Sequence, residues 1–479
     1  MSQKVIPIQP VPPSGEPPQP QSLYEAQKKI YPRSVTGLFA RWRWVFVWLT
    51  QLVFYGLPWL PWATETGARQ AVLFDLAARR FYLFGYVLYP QDFIYLTALL
   101  VISALSLFLF TAVAGRLWCG FACPQTVYTE IFMWVERKVE GDRNARMKLD
   151  KSPMSGAKLA RKATKHVLWV LIALRTGITF VGYFTPIREL LGAILTLSTG
   201  PWQTFWVLFY GFATWGNAGF MREQVCKYMC PYARFQGVMF DRDTLTITYD
   251  TRRGEPRGSR SRKADPAAMG LGDCIDCTLC VQVCPTGIDI RDGLQYECIG
   301  CAACIDACDQ VMDKMNYPRG LIRYTSENAM AQGLHGKDVL KRVARPRVLV
   351  YTGILLAVTL ALFAHLLLRT PIKLDVIPDR SLGREVADGM IENTYRLQLM
   401  NSSETARRFV VSVEGIESIF VEGQTEFQVG PAGVRMVPIT VRTKPGNGKP
   451  GSNPIRFSVR DGTDESVSTS AKSTFFVPR

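Results

Sequence analysis

Cys274-Ile-Asp-Cys277-Thr-Leu-Cys280-Val-Gln-Val-Cys284-Pro285 and Cys298-Ile-Gly-Cys301-Ala-Ala-Cys304-Ile-Asp-Ala-Cys308 hold eight of the chain's twelve cysteines within 35 residues. Each run sets three cysteines at two-residue intervals and a fourth after a longer gap. Three thiolates so spaced can wrap one loop around a four-iron, four-sulfur cubane. The fourth leaves the loop and reaches a neighbouring cubane, as in bacterial two-cluster ferredoxins. The spacing assigns one [4Fe–4S] cluster to Cys274, Cys277, Cys280 and Cys308, and a second to Cys298, Cys301, Cys304 and Cys284. Zinc sites also use C-x-x-C pairs, but rarely the third evenly spaced cysteine. A chain with these runs moves single electrons.

The 479 residues are 48% hydrophobic and 20% charged, with a net charge of +16. Apolar runs of membrane-spanning length alternate with basic segments. Lysine and arginine beside such runs set topology and meet anionic lipid. The basic stretches lack the interleaved aromatics of a nucleic-acid surface, so none is expected as a partner. Residues 5–20 carry seven prolines and no apolar core, so residues 1–40 read as a disordered tail rather than a signal peptide.

Runs able to cross a bilayer fall near Trp44–Trp62, Phe93–Ala114, Val167–Phe184, Phe205–Phe220 and Val348–Leu368. Residues 1–43 carry six Lys/Arg and residues 116–165 carry eleven, whereas 62–92 carry three, matched by three acids, and 185–201 only Arg188. Positive charge stays inside, so the N-terminus is expected in the cytoplasm. With five spans, residues 222–346 face the cytoplasm, where thiols stay reduced, and the cysteine-free segment after 369 lies outside.

The other four cysteines form a duplicated motif: Cys119-Gly-Phe-Ala-Cys123-Pro124 after the second span, and Cys226-Lys-Tyr-Met-Cys230-Pro231 after the fourth. Spacing of four puts both sulfurs on one helical face, and the proline is expected to break the helix and open a loop around a ligand. Four soft thiolates from two such ends could hold a third iron–sulfur cluster or Cu(I), with Met229 as an auxiliary ligand. Buried apolar packing is the simpler alternative. No C-x-x-C-H, no paired histidines among His166, His335 and His365, and no G-x-G-x-x-G occur. Electrons are therefore expected from a partner or a quinol rather than from bound NAD.

Arg116-Leu-Trp-Cys119-Gly-Phe-Ala-Cys123-Pro124-Gln125-Thr126, Cys226-x-x-x-Cys230-Pro231-Tyr232-x-Arg234-x-Gln236 and both ferredoxin runs resemble the FixG/CcoG (RdxA) family of cytochrome c oxidase accessory proteins. The resemblance implies a membrane-bound cupric reductase in the bacterial inner membrane. It would supply Cu(I) for cbb3-type oxidase assembly, with assembly factors and a copper transporter or chaperone as partners. Cys119, Cys123, Cys226 and Cys230 would then be the copper-proximal catalytic residues. One departure is Asp309 after Cys308, where the first run has proline, which predicts a less constrained loop there.

After residue 390, short alternating runs at Tyr395–Met400, Phe409–Val413, Ser418–Val421, Val434–Val441, Pro454–Val459 and Ser473–Val477 predict a β-sandwich, Ig-like in the similar family. It carries no catalytic constellation and reads as a docking module. Arg175, midway along the third span, is expected to pair inside the bundle. His365 is expected at the membrane interface. Arg252, Arg253, Arg257, Arg260, Arg262 and Lys263 are expected in a solvated linker near lipid.

The fold expected is a multi-domain membrane protein. A tail (1–40) leads into spans one to four with the duplicated motif (41–221), a cytoplasmic two-cluster ferredoxin-like module (222–346), a fifth span (347–369) and a periplasmic all-β Ig-like sandwich (370–479). A quinol-oxidising electron-transfer subunit and a redox assembly scaffold without copper chemistry are the alternative functions. The electron donor is not legible.

Overall fold

The computed structural model describes residues 29–478, apart from 66, 267, 335–336, 380–382, 387–388 and 465. The predicted tail up to residue 28 and His335 lie outside the described residues. Residues 29–40, expected in that tail, instead pack on the ferredoxin module. Arg33 N–H donates to Gln282 O at 2.8 Å, and Asp306 accepts the Ala40 N–H at 2.7 Å and the Phe39 N–H at 3.1 Å. The carboxylate thus caps the first long helix with a residue from 266 positions away, a contact that no local pattern announces.

Five long helices stand where spans were expected: Leu38–Gly56, Phe93–Ala114, Gly156–Val181, Pro201–Gly216 and Pro346–Leu367. Among the described residues three are long and apolar enough to cross a bilayer: Pro90–Ala114, Gly156–Val181 and Pro346–Leu367, with mean hydropathies of 2.5, 1.3 and 2.1. Arg41, Arg43 and Gln51 weaken the first. The fourth is shorter, 16 residues, and runs on into a π turn, Asn217–Met221. Both still present wide apolar faces, with Trp48, Leu52 and Phe212 each about 70% exposed. The third and fourth pack backbone to backbone: a Cβ on Gly177 would overlap Val207 O. Small residues permit such close approach where lipid supplies no hydrophobic drive between helices.

The bundle separates two ends. At one end lie the cysteine motifs and residues 222–345. At the other, the stretch between the first two helices is not a plain loop. It forms a hairpin (Pro61–Thr64 with Gly67–Gln70) and a three-stranded antiparallel sheet (Val72–Asp75, Arg80–Leu83, Tyr86–Leu88). Phe74 N–H donates to Tyr183 O, and the Tyr89 hydroxyl donates to Asn401 O at 2.8 Å. Buried Asp92 takes ion pairs from Arg369 (2.8 Å) and Lys373. The short sheets, the segment after Val181 and the C-terminal domain therefore share one end.

That C-terminal domain is an antiparallel sandwich. One sheet orders Phe420–Glu422, Val434–Thr443, Ile391–Asn401 and Ile372–Pro378; the other orders Glu426–Val429, Arg407–Glu414, Gly451–Asp461 and Ser468–Val477. Period-two alternation points Tyr395, Leu397 and Leu399 inward against Phe409, Val411 and Phe457, all nearly inaccessible. The first strand starts at Ile372, ahead of the expected residue 390, because Ile372–Pro378 pairs with Tyr395–Asn401.

Candidate functional site

The two ferredoxin runs fold alike for a backbone reason. The two residues flanking the second cysteine of each run adopt left-handed conformations: Asp276 and Thr278 (φ 51° and 57°) in the first run, Gly300 and Ala302 (φ 69° and 59°) in the second. Right- and left-handed residues in alternation turn successive N–H groups inward, a nest suited to negative charge. The Val281, Gly300 and Ala303 N–H groups accordingly meet the sulfurs of Cys280, Cys298 and Cys301. Beneath the loops, strands Thr246–Tyr249 and Ile322–Thr325 pair antiparallel. Each supplies a tyrosine: Tyr249 meets the Cys274 sulfur, and the Tyr324 hydroxyl donates to Gly300 O at 2.5 Å.

The ferredoxin cysteines line two small cavities. One is lined by Cys280, Cys284, Cys298, Cys301 and Cys304, the other by Cys274, Cys277, Cys280 and Cys308. Burial pushes the Cys280 and Cys298 thiols up to about 12, and lifts Cys304 and Cys308 as well. Thiols that costly to ionise need a compensating cation, so loading with iron must release protons. Among the described residues, no three Cys, His, Asp or Glu side chains converge on a single metal ion. The sulfurs line cavities instead, which fits the corners of a cubane better than one tetrahedral zinc.

Asp309 does not leave a loose loop. Cys308 lies inside the helix Ala303–Met315, and Asp309 accepts the Gly320 N–H at 3.0 Å. The basic stretch before the first run is only partly a solvated linker: Arg252, Arg257, Arg262 and Lys263 are exposed, but Arg253 and Arg260 turn inward. Arg253 pairs with Asp273, Arg260 donates to Gly272 O (2.6 Å) and Cys274 O (3.3 Å), and Arg262 donates to Asn316. These guanidiniums satisfy carbonyls that irregular cluster loops leave unpaired.

The duplicated motifs repeat in structure as well. Cys119 sits on a short helix, Leu117–Phe121, and Cys226 on a π turn, Val225–Met229. Cys123 and Cys230 are extended (ψ 129° and 110°), and each caps a new helix whose first residue is the proline, Pro124–Glu140 and Pro231–Met239. The expected loop after the proline is thus a helix start, which suits proline's fixed φ and missing N–H. The four thiols lie close enough to influence one another's charge. Burial, then the neighbouring Cys123, Cys119 and Cys230, push the Cys226 thiol up to about 12, and burial with Cys123 pushes Cys119 up to about 11. Gln125, from Pro-Gln-Thr, crosses to the other repeat and donates to Asn217 O (2.9 Å) and Arg222 O (3.1 Å). The Cys119 thiol donates to fully buried Gln236 at 3.4 Å. Met229, expected as an auxiliary ligand, is 57% exposed.

The paired motif and the second cluster loop touch. A Cβ on Gly120 would lie 2.9 Å from Cys301 Cα and 2.7 Å from the Gly300 carbonyl carbon. Cys119 and Cys226 pack in one apolar group with Val283, Ile299 and Cys301. Two buried arginines bracket this seam. Arg43 hydrogen-bonds Cys301, and Arg116 donates to Tyr296 O (2.5 Å) and Ala233 O (2.9 Å) beside Cys298. Sequence reading passed over Arg43; its only signal was a guanidinium in an apolar run. It also passed over Glu136, which pairs with Arg146 (2.6 Å) and Arg222 (2.7 Å) under the motif. Arg175 packs over the Tyr55 ring at 4.3 Å, and His365 meets the Tyr95 hydroxyl at 2.8 Å.

Family models match for a 4Fe-4S dicluster domain (residues 221–327), a 4Fe-4S binding domain (96–140) and the Ig-like fold at the C-terminus of FixG (362–478). The chain is 44% identical to Protein RdxB of Cereibacter sphaeroides over 400 residues, 82% of this chain and 84% of that one. It is 42% identical to Nitrogen fixation protein FixG of Rhizobium meliloti (82% and 80% covered), and 43% identical to Protein RdxA of Cereibacter sphaeroides (82% and 84%). A solved FixG-related protein from Vibrio parahaemolyticus aligns over 23% of this chain and 98% of its own at 25% identity, with a TM-score of 0.21. The chain, a membrane protein with 4Fe-4S electron-transfer domains, belongs to the family of FixG, RdxA and RdxB.

Proposed function

We propose that the protein reduces Cu(II) to Cu(I) at the four membrane-edge cysteines, Cys119, Cys123, Cys226 and Cys230. Two [4Fe–4S] clusters supply the electrons one at a time. Cys274, Cys277, Cys280 and Cys308 hold one, and Cys298, Cys301, Cys304 and Cys284 the other. All five long helices cross the bacterial inner membrane, with the N-terminus and ferredoxin module in the cytoplasm and the sandwich in the periplasm. The Cu(I) product serves cbb3-type oxidase assembly, with the sandwich as the docking module for assembly partners.

The observation that carries this reading is the contact of Gly120 with the Gly300–Cys301 backbone, which leaves no gap between the two sulfur sites. Soft thiolates stabilise the cuprous product, so the acceptor end of the path favours reduction. Replacing Cys119 and Cys226 together by serine should abolish Cu(II) reduction, read with a Cu(I) chelator, while iron content stays unchanged. Undiminished copper reduction would move the chemistry to the ferredoxin loops.

One finding favours a second reading for the paired motif. The 4Fe-4S binding family model covers residues 96–140 and hence Cys119 and Cys123. Under that reading a third cubane occupies the four cysteines. Anaerobically purified protein would then hold about twelve irons rather than about eight, with equal labile sulfide.

A further inference from the structure

A cavity of about 480 Å³ opens between the ends of the long helices and the ferredoxin module. That is the size range of small-molecule and cofactor sites. Both Cys226 of the paired motif and Cys301 of the second cluster loop line it. Its walls mix apolar and aromatic side chains, among them Ile30, Met133, Trp169, Phe220 and Ile299, with charged ones. Trp169 is fully buried, His166 stands edge-on to it at 5.2 Å, and Phe220 stacks on His166 at 5.8 Å.

Most of the charges around the cavity are committed to one another. Glu136 takes Arg146 and Arg222, Glu140 takes Lys165 (3.1 Å) and Lys162 (3.0 Å), and Asp150 takes Lys162 and Lys29, both at 2.5 Å. An anionic ligand would have to break these pairs. Two polar groups are left over: His166 Nδ1 and Arg43 Nε are buried without a hydrogen-bond partner among the described residues, and Arg43 is itself only 7% exposed. A cavity with an aromatic wall, mostly paired charges and a few unpaired polar atoms suits a neutral, planar, hydroxylated ring.

We infer that this cavity binds a membrane hydroquinone, the electron donor to the chain. The inference rests on the electron-transfer reading. The hydroquinone loses two electrons and two protons and leaves as the quinone. The electrons depart singly toward the adjacent cysteine-held iron, and overall two Cu(II) become two Cu(I). The protons pass to water by way of lining groups such as Glu130 and His166. Proximity to both sulfur sites at once is what a donor site requires, and this cavity has it.

The test uses full-length, cluster-loaded protein in detergent. Menadione binding is measured by calorimetry, and cluster bleaching by menadiol is followed in parallel. Wild type should bind menadione saturably. Met133→Trp, which fills the cavity from a half-buried position, should weaken binding at least about tenfold, the loss of about 1.4 kcal/mol or more. His166→Leu should weaken it about fivefold, one hydrogen bond's worth. Iron content and dithionite bleaching should stay at wild-type level in both variants. Absent menadione binding, equal binding by Met133→Trp, or displacement of menadione by inorganic phosphate would each overturn the site. Clusters that dithionite reduces but menadiol does not would overturn the donor role alone. Clusters that dithionite cannot reduce would sink the electron-transfer reading itself.

Discussion

The ferredoxin loops and the paired membrane-edge motif are both duplicated four-cysteine sites, yet they are built in opposite ways. Each ferredoxin loop forms largely from one continuous stretch, wrapped by local left-handed residues at Asp276, Thr278, Gly300 and Ala302. Only its fourth cysteine comes from the other run. The paired motif draws two cysteines from each of two helix ends more than a hundred residues apart, and Gln125, Gln236 and the Glu136 ion cluster hold those ends together. Local wrapping makes a site that sequence spacing specifies. Tertiary assembly makes one whose ligands are legible but whose geometry is not.

The largest effect should come from breaking that symmetry of ligands. Cys304→Ser removes a corner thiolate from the second loop and should cost one cubane, about four of about eight irons, by direct iron and sulfide assay. Cys123→Ser removes a thiolate from the paired motif and should leave all eight in place. If Cys123→Ser instead drops iron from about twelve to about eight, the two sites hold the same cofactor and differ only in scaffold.

Glu136 tests how the tertiary site is held. It is 3% exposed, and its carboxyl is held below the ordinary range. Burial alone would raise it, but Arg222, Arg146 and Lys165 outweigh burial. Glu136→Gln leaves two guanidiniums buried beside a neutral group and should destabilise the helix-end pair by about 3–5 kcal/mol. Because the folded-state pKa is depressed, this stabilisation is full above the unfolded carboxylate pKa and fades as pH falls through the folded one. Thermal unfolding across acidic pH should therefore fall more steeply for wild type than for Glu136→Gln. Equal slopes would show that the cluster does not hold the site.

Asp309→Pro separates the two ferredoxin runs from each other. Proline follows Cys284 because the helix Leu279–Gln282 has already ended there. After Cys308 the helix continues to Met315, so proline would delete an interior N–H bond and clash with the preceding turn. The cost should be about 3 kcal/mol, with loss of the cluster served by Cys308 before the other. A stable variant with both clusters would mean that the second helix tolerates the sequence of the first.

These cases show where sequence reading reaches. Cysteine spacing, the long apolar runs and the period-two strands of the sandwich are local signals, and each fell close to its place. What was missed is non-local. Asp306 caps a helix that begins at Leu38, the 62–92 connection folds into small sheets against the sandwich, and Arg253 and Arg260 turn inward to carbonyls. In each case the partner of a polar group is set by the fold and not by a local periodic pattern. Asp309 misled for the related reason that a missing proline was read as a freer loop, when the residue continues a helix.

Gly120 offers the smallest change and the sharpest comparison, because it lies where the two sites meet. A methyl group there would stand 2.7 Å from the Gly300 carbonyl carbon and 2.9 Å from Cys301 Cα. These are backbone atoms of the loop that the left-handed Gly300 and Ala302 hold in shape, so they cannot swing aside as a flexible side chain would. Gly120→Ala must therefore push the helix Leu117–Phe121 away from the cluster loop, an overpacking cost of about 1–3 kcal/mol. Each site keeps all of its own thiolates, so iron content should be preserved. Any loss of copper reduction would then come from the separation between the sites. Slower copper reduction with intact clusters would show that the seam is the electron path. Unchanged reduction with lowered stability would show that the contact only packs the two domains together, and the path would have to run through the cavity at Cys226 and Cys301 instead.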